Sequence, residues 1–227
     1  MIAALLPPHV AAAEEFGDPP GGFLFTEEAD LVAGSVPLRR AEFTTVRMCA
    51  RRAMARLGVE PVPLLPGLHG APRWPSDVVG GMTHCAGYRA AAVSLRRYVT
   101  AIGIDAEPDR HLKPGVLPTI AGPEEQDHVR HLRLLHPRTA WDRLLFSAKE
   151  SVYKACFPAT GNRLGFFDAA ISFDASAGTF RARLRTPGVV IAGRHHHMLD
   201  GTWHAGGGLL LTSVVIAVDE RMGLDPL

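Results

Sequence analysis

The run Ile102-Gly103-Ile104-Asp105-Ala106-Glu107 ends on two carboxylates at i and i+2, which a pleated strand points to the same side. Two parallel carboxylates repel unless a cation sits between them. Hard oxygen ligands flanked by small residues suit Mg2+ or Mn2+, and Mg2+ is typically held by one or two carboxylates plus water and phosphate oxygens. The ordinary alternative is an acidic strand end facing solvent. Further along, Phe146, Glu150, Tyr153 and Phe157 follow i, i+4, i+7 and i+11, so a helix places Glu150 on a stripe with three aromatic rings. A carboxylate bordered by apolar rings needs a partner. Lys149 precedes it and Lys154 is its i+4 neighbour, and an exposed Glu150–Lys154 pair is worth only ~0.3–0.5 kcal/mol. Such a pair accounts for Lys154 alone. The chain has 21 arginines and only three lysines, Lys113, Lys149 and Lys154, so two lysines in one segment call for a further reason. A third carboxylate completing a metal site with Asp105 and Glu107, beside lysines that neutralise phosphates, accounts for all of them together.

These residues need elements to hold them. Phe43, Val46, Ala50, Ala53 and Leu57 recur at helical spacing after Ser35, a suitable N-cap, until Gly58 closes the run. The polar side of this first helix carries Arg39, Arg40, Arg47, Arg51, Arg52 and Arg56, with Arg40, Arg47 and Arg51 nearly in line; its plainest reading is a solvated face. Pro61, Pro63, Pro66, Pro72 and Pro75 mark an irregular loop. Strands are predicted over 78–83, 88–95 and 99–107, as a meander, and a charged surface helix over 124–136. A second long helix over 139–157 stops at Pro158, and its apolar face is Leu144, Leu145, Ala148, Val152 and Ala155. Strands over 170–174, 179–185, 202–205 and 208–219 follow. This order predicts an α+β fold of two pseudo-symmetric halves, 1–103 and 104–227. Each is a long helix packed on a small antiparallel sheet, and the active site lies in the cleft between them.

The 227 residues carry a net charge of +1, which leaves no bulk basic field for nucleic acid, so anion binding must be local. Cys49, Cys85 and Cys156 are odd in number, widely spaced and free of any C-x-x-C pair, which favours a reduced, cytoplasmic setting over disulfides or a zinc ribbon. The N-terminal apolar run lacks a positive flank and stops at Pro7-Pro8, unlike a signal peptide. No apolar stretch reaches the ~20 residues that span a bilayer, so no membrane partner is expected. His195-His196-His197 read as a loop before a glycine-rich turn.

The strings Gly103-Ile104-Asp105-Ala106-Glu107 and Phe146-Ser147-Ala148-Lys149-Glu150-Ser151-Val152-Tyr153-Lys154 together resemble the paired signatures of the 4'-phosphopantetheinyl transferases, in their long single-chain surfactin/enterobactin type. Gly81-Met82-Thr83-His84-Cys85 resembles the family's strand-end Ser/Thr-His element, Gly70-Ala71-Pro72 its G-K-P element, and Arg39, Arg40 and Arg47 its basic first helix. The resemblance implies transfer of the 4'-phosphopantetheine arm of coenzyme A to a serine of an acyl or peptidyl carrier protein. Adenosine 3',5'-bisphosphate is the other product. Such carriers serve fatty acid, polyketide, nonribosomal peptide or siderophore synthesis, and a monomer is expected.

By the same resemblance, Asp105, Glu107 and Glu150 are the ligands of Mg2+ or Mn2+, and Glu150 is the general base toward the carrier serine. Lys149 would hold a phosphate oxygen and assist the leaving side, with Lys154 beside it. His84, Arg39 and Arg47 would bind the 3'-phosphate with help from Thr83, since guanidinium forks suit phosphate. Gly70 and Pro72 complete the coenzyme A contacts, and Phe146, Tyr153, Leu164 and Phe166 would line an apolar slot for the arm. Two departures stand out. Ala71 replaces the lysine of the G-K-P element, with His69 or Arg73 nearby, and Ala106 between the carboxylates supplies no ligand. The rival functions are a Mg2+-dependent phosphodiesterase, which would consume coenzyme A without a carrier, and a coenzyme A binding module without turnover.

Overall fold

The structure, a computed structural model, describes residues 1–185 and 187–218. The chain opens with strand β1 (Ala11–Phe16), the short helix α1 (Thr26–Leu31) and the long helix α2 (Pro37–Ala55). Helix α2 begins one position later than Ser35 would set it: Val36 is the N-cap and Pro37 takes the first turn, where its missing N–H has no partner to lose. Strands β2 (Val78–Cys85), β3 (Tyr88–Leu95) and β4 (Val99–Pro108) follow. The second half has helices α3 (Leu117–Ile120), α4 (Pro123–Leu135) and α5 (Trp141–Thr160). It closes with strands β5 (Ala169–Asp174), β6 (Thr179–Leu184), β7 (Val189–Ile191), β8 (Arg194–His196), β9 (Met198–Gly206) and β10 (Leu209–Ala217). Asp219, at the end of the last expected strand, lies outside the described residues.

The expected α+β architecture is present. The first antiparallel sheet has the order β1-β3-β2, the second β4-β10-β9-β6-β5, and β7 and β8 pair as a separate hairpin. The expected meander is not: β2 and β3 form a hairpin, but β4 pairs with β10, Thr212 facing Asp105 and Leu210 facing Glu107. The free edge of β3 is taken by β1, whose Ala-Ala-Ala-Glu-Glu text carries little strand preference. Strand β4 still lies beside β2, joined through a side chain: the Ala106 N–H donates to Thr83 Oγ1 at 3.0 Å. The expected boundary between residues 103 and 104 falls within β4.

Helix α2 buries Cys49, Ala50, Ala53 and Met54 against Ala13, Ala91 and Val93 of the first sheet. Two of the arginines assigned to a solvated face are buried. Glu28, fully buried, accepts Arg51 Nη1 at 3.0 Å and lies 3.5 Å from Arg47 Nε. The core of the protein has closed over this side of α2 because one carboxylate neutralises both cations. Helix α5 packs Leu144, Leu145, Ala148 and Val152 onto the second sheet, and Trp141 contacts Trp203 edge-on at 5.0 Å. It does not stop at Pro158. The proline sits in the last turn, the helix runs to Thr160, and Gly161 closes it at φ +70°. The histidine triplet is not a loop: His195 and His196 lie on β8, turned from β7 through Ala192 and Gly193.

Candidate active site

At Gly103, strand β4 and helix α5 meet with no side chain between them. A Cβ on Gly103 would lie 1.9 Å from the Ser151 carbonyl oxygen and 2.5 Å from the Ala155 nitrogen, so only glycine permits this approach. On the neighbouring strand, Thr212 Oγ1 donates to the Ser147 carbonyl at 3.0 Å. These contacts set α5 over the carboxylate end of β4. Lys154 Nζ consequently reaches Asp105 Oδ1 at 2.5 Å, which replaces the surface pair with Glu150. Thr83 Oγ1 donates to the same oxygen at 3.4 Å, while Asp105 Oδ2 is buried with no hydrogen-bond partner.

Glu107 Oε2 accepts Arg143 Nη1 at 2.9 Å. Burial, and then the charge of Asp105, push the Glu107 carboxyl above the usual range against the pull of Arg143. Burial likewise raises Glu150; Lys154 opposes the rise, and Asp105 and Glu107 add to it. The three carboxylates thus share one electrostatic neighbourhood. Among the described residues no three His, Cys, Asp or Glu side chains are drawn together as a metal centre, and the Lys154 ammonium holds one oxygen of Asp105. The donor set nevertheless suits a hard divalent cation: all ligating atoms are oxygens, and the buried Oδ2 of Asp105 is left to be satisfied.

At the other end, Arg39 Nη1 and His84 Nε2 lie 3.0 Å apart beside a cavity of about 410 Å³ that Arg47, Gly70 and Pro72 also line. Burial and the Arg39 charge pull the His84 pKa below its ordinary value. Glu42 lies 4.0 Å from His84 and 3.3 Å from the buried Arg89, which is also paired with Asp18 at 2.7 Å. Arg47 reaches this cavity partly engaged: it bonds the Leu64 carbonyl at 3.0 Å and its guanidinium lies 3.2 Å from the Phe43 ring centroid. Burial lowers its pKa to about 10. Arg40 is turned away, exposed and bonded to the Ala33 carbonyl at 2.8 Å, because its place on α2 faces the α1 connection. The expected contact between Arg40 and coenzyme A is therefore not supported.

A second cavity, lined by Gly70, Pro72, Met82, Tyr153, Lys154 and Phe157, shares Gly70, Pro72 and Met82 with the first. A third, of about 280 Å³, shares Tyr153 with the second and is bounded by Lys149, Glu150, Arg163, Leu164, Gly165 and Phe166. Through these shared residues the three cavities follow one another from the Arg39–His84 pair past Lys154 to Leu164 and Phe166, and the Phe166 ring lies 5.8 Å from that of Phe146. His69 packs on Phe157 at 5.4 Å and holds the 67–73 loop against α5.

Lys149 departs from expectation. It is 4% exposed, and its ammonium donates to the carbonyls of Phe166 at 2.6 Å and Ala169 at 2.7 Å and to Glu125 at 3.1 Å. With three donors and three acceptors satisfied inside the second half, it has none left for a phosphate. Glu42, Glu125 and Arg143 had no motif to mark them; each becomes visible only when strands and helices distant in sequence are brought together.

Residues 27–94 match the 4'-phosphopantetheinyl transferase N-terminal domain family, and residues 101–214 match the 4'-phosphopantetheinyl transferase superfamily. The chain is 50% identical to the 4'-phosphopantetheinyl transferase Svp of Streptomyces mobaraensis over 220 residues, covering 96% of this chain and 89% of that protein. It is 45% identical to PptT of Mycobacterium tuberculosis over 224 residues (95% and 98%), and 42% identical to Npt of Nocardia iowensis over 226 residues (96% and 100%). With both halves of the chain matched and such relatives aligned over nearly their whole length, the chain belongs to the 4'-phosphopantetheinyl transferase superfamily.

Proposed function

We propose that this protein transfers the 4'-phosphopantetheine arm of coenzyme A to a serine hydroxyl of an acyl or peptidyl carrier protein and releases adenosine 3',5'-bisphosphate. The observation that carries the reading is the row of three neighbouring cavities, lined by Arg39 and His84 at one end, by Lys154, the partner of Asp105, in the middle, and by Glu150, Leu164 and Phe166 beyond. Cationic side chains at one end and Leu164 and Phe166 at the other suit an elongated ligand with a phosphorylated head and an apolar tail.

In this reading the first half, 1–103, holds the 3'-phosphate through Arg39 and His84, with Arg47 adding positive charge at the cavity wall. Gly70 and Pro72 let the loop backbone approach the nucleotide. The second half, 104–227, carries the reacting end. Asp105, Glu107 and Glu150 would hold Mg2+ or Mn2+, which when bound supplies charge neutralisation at the pyrophosphate. Lys154, freed from Asp105, would add its own charge, and Thr83 keeps Asp105 and β4 in place. The carrier serine Oγ attacks the phosphorus bearing the pantetheine arm, its proton passes to Glu150 directly or through one water, and the bond to the bridging oxygen breaks. Phe146, Tyr153, Leu164 and Phe166 exclude water from the arm. One copy of the chain carries every residue invoked, so a monomer suffices. No helix among the described residues is long and apolar enough to cross a membrane, and Cys49, Cys85 and Cys156 are all free thiols, which favours a cytoplasmic setting.

The test is incubation with apo carrier protein, coenzyme A and Mg2+, read by intact mass. A phosphopantetheine adduct on the carrier is expected. Consumption of coenzyme A in the absence of any carrier would instead establish the phosphodiesterase, and binding without an adduct on any of several carriers would establish the binding module.

A further inference from the structure

Lys149 is the buried cation that the reaction above does not use. Its Nζ sits where α5, the 161–168 connection and the start of β5 converge, on the carbonyls of Phe166 and Ala169. Its third partner, Glu125, is itself fixed: Oε1 accepts the Ile171 N–H at 2.8 Å and Oε2 accepts the Gly122 N–H at 2.9 Å. The pair lies 2.8 Å apart at its closest approach, with both side chains almost wholly buried. Arginine could not replace this lysine, because a planar fork does not converge on three acceptors around one atom.

The carbonyls it grips belong to the wall of the slot. Leu164, Gly165 and Phe166 bound the third cavity opposite Glu150 and Tyr153. The Asp168 side chain accepts the Gly165 N–H at 2.7 Å, and its backbone carbonyl accepts the Arg185 N–H, just past β6, at 2.7 Å. Towards α5, the polar anchor is Lys149. Burial tends to discharge it and the Glu125 carboxylate counters that tendency.

We infer that Lys149, clamped by Glu125, is a positioning residue that fixes the width of the pantetheine slot by holding the Phe166–Ala169 backbone against α5. The inference rests on the transfer reading above. It assigns to Lys149 recognition of the arm end of coenzyme A and no part in holding the nucleotide or the phosphates.

The experiment compares wild type with Lys149→Met in carrier modification, and measures inhibition by adenosine 3',5'-bisphosphate, which lacks the arm. The expected result is a rise in KM for coenzyme A of about tenfold, a kcat within about twofold of wild type, and an unchanged inhibition constant for the bisphosphate. A fall in kcat of about a hundredfold at unchanged KM would place Lys149 on the phosphates and overturn the inference. So would equal weakening of coenzyme A and bisphosphate. If Lys149→Met does not fold, Glu125→Gln, which keeps both backbone acceptors on Lys149, decides the matter: it should raise the coenzyme A KM about threefold and spare the bisphosphate. An unchanged KM in folded Glu125→Gln overturns the inference. Failure of the wild type to modify any carrier would count against the transfer reading itself, and coenzyme A binding by calorimetry, weaker in Lys149→Met but equal for the bisphosphate, then still decides the role of Lys149.

Discussion

Lys154 Nζ lies 2.5 Å from Asp105 Oδ1, across 49 residues of sequence and between two elements that pack backbone to backbone. One carboxylate oxygen is thereby neutralised by the protein itself, and the other is buried and without a hydrogen-bond partner. A carboxylate pre-set in this way loses little freedom when a cation or polyphosphate arrives.

Removing either end should therefore silence the reaction and not the fold. Asp105→Ala and Glu150→Gln are expected to lower carrier modification by at least about 10²–10³-fold. Lys154→Met should cost about 10²-fold. Intact-mass assays give the activity and circular dichroism the fold; a folded Asp105→Ala protein with wild-type transfer would refute the assignment of Asp105.

His84 makes a pH prediction. Its folded pKa lies below the ordinary value of 6.5, because burial and Arg39 disfavour the imidazolium. The folded state then binds fewer protons than the unfolded chain, so stability is intact above pH 6.5 and declines as the pH falls through that value. A 3'-phosphate reverses the balance by favouring the charged ring. Adenosine 3',5'-bisphosphate should accordingly bind more tightly as the solution is acidified, and His84→Gln should flatten both trends. Parallel pH profiles for wild type and His84→Gln, by thermal melting and calorimetry, would exclude this role.

At the seam between β4 and α5, Gly103→Ala is expected to cost about 3 kcal/mol, at the upper end of overpacking penalties, because the added methyl meets backbone and not a movable side chain. Chemical denaturation measures this directly. Residual activity should fall with stability, since the methyl displaces Glu150 and Lys154 from β4.

Glu28→Ala isolates a different liability. It leaves Arg51 buried without its carboxylate and strips Arg47 of its nearest charge, at a cost of about 3–5 kcal/mol. A loss below about 1 kcal/mol in urea titration would mean that water reaches the guanidinium groups.

The expectations for Asp105, Glu107 and Glu150 came from their spacing along one strand and one helix, and that for His84 from the family resemblance; the Lys154–Asp105 pair needed the fold. The α+β class was legible too, since the 3.6-residue pattern of α5 and the apolar run of β10 are strong signals. Arg47 and Arg51 were misjudged for a definite reason: their partner, Glu28, lies on a separate short helix, and periodicity says nothing about what covers a polar face. Lys149 misled in the opposite sense. It borders the same cavity as its neighbour Glu150, but a one-residue step rotates the side chain by about 100° around the helix and carries its ammonium to Glu125. Strand β1 escaped because alanine and glutamate favour helices, and only the open edge of β3 makes them a strand.

The contact at Gly103 differs in kind from every polar contact around the site. Ion pairs titrate, hydrogen bonds exchange with water and salt screens charge, whereas a hard-core stop between Gly103 and the Ser151 carbonyl responds to none of these. The spacing between the carboxylate strand and the Glu150 helix is thus a mechanical constant of the molecule, and changes in pH or ionic strength tune the charges in the cleft while the frame that carries them keeps its gauge.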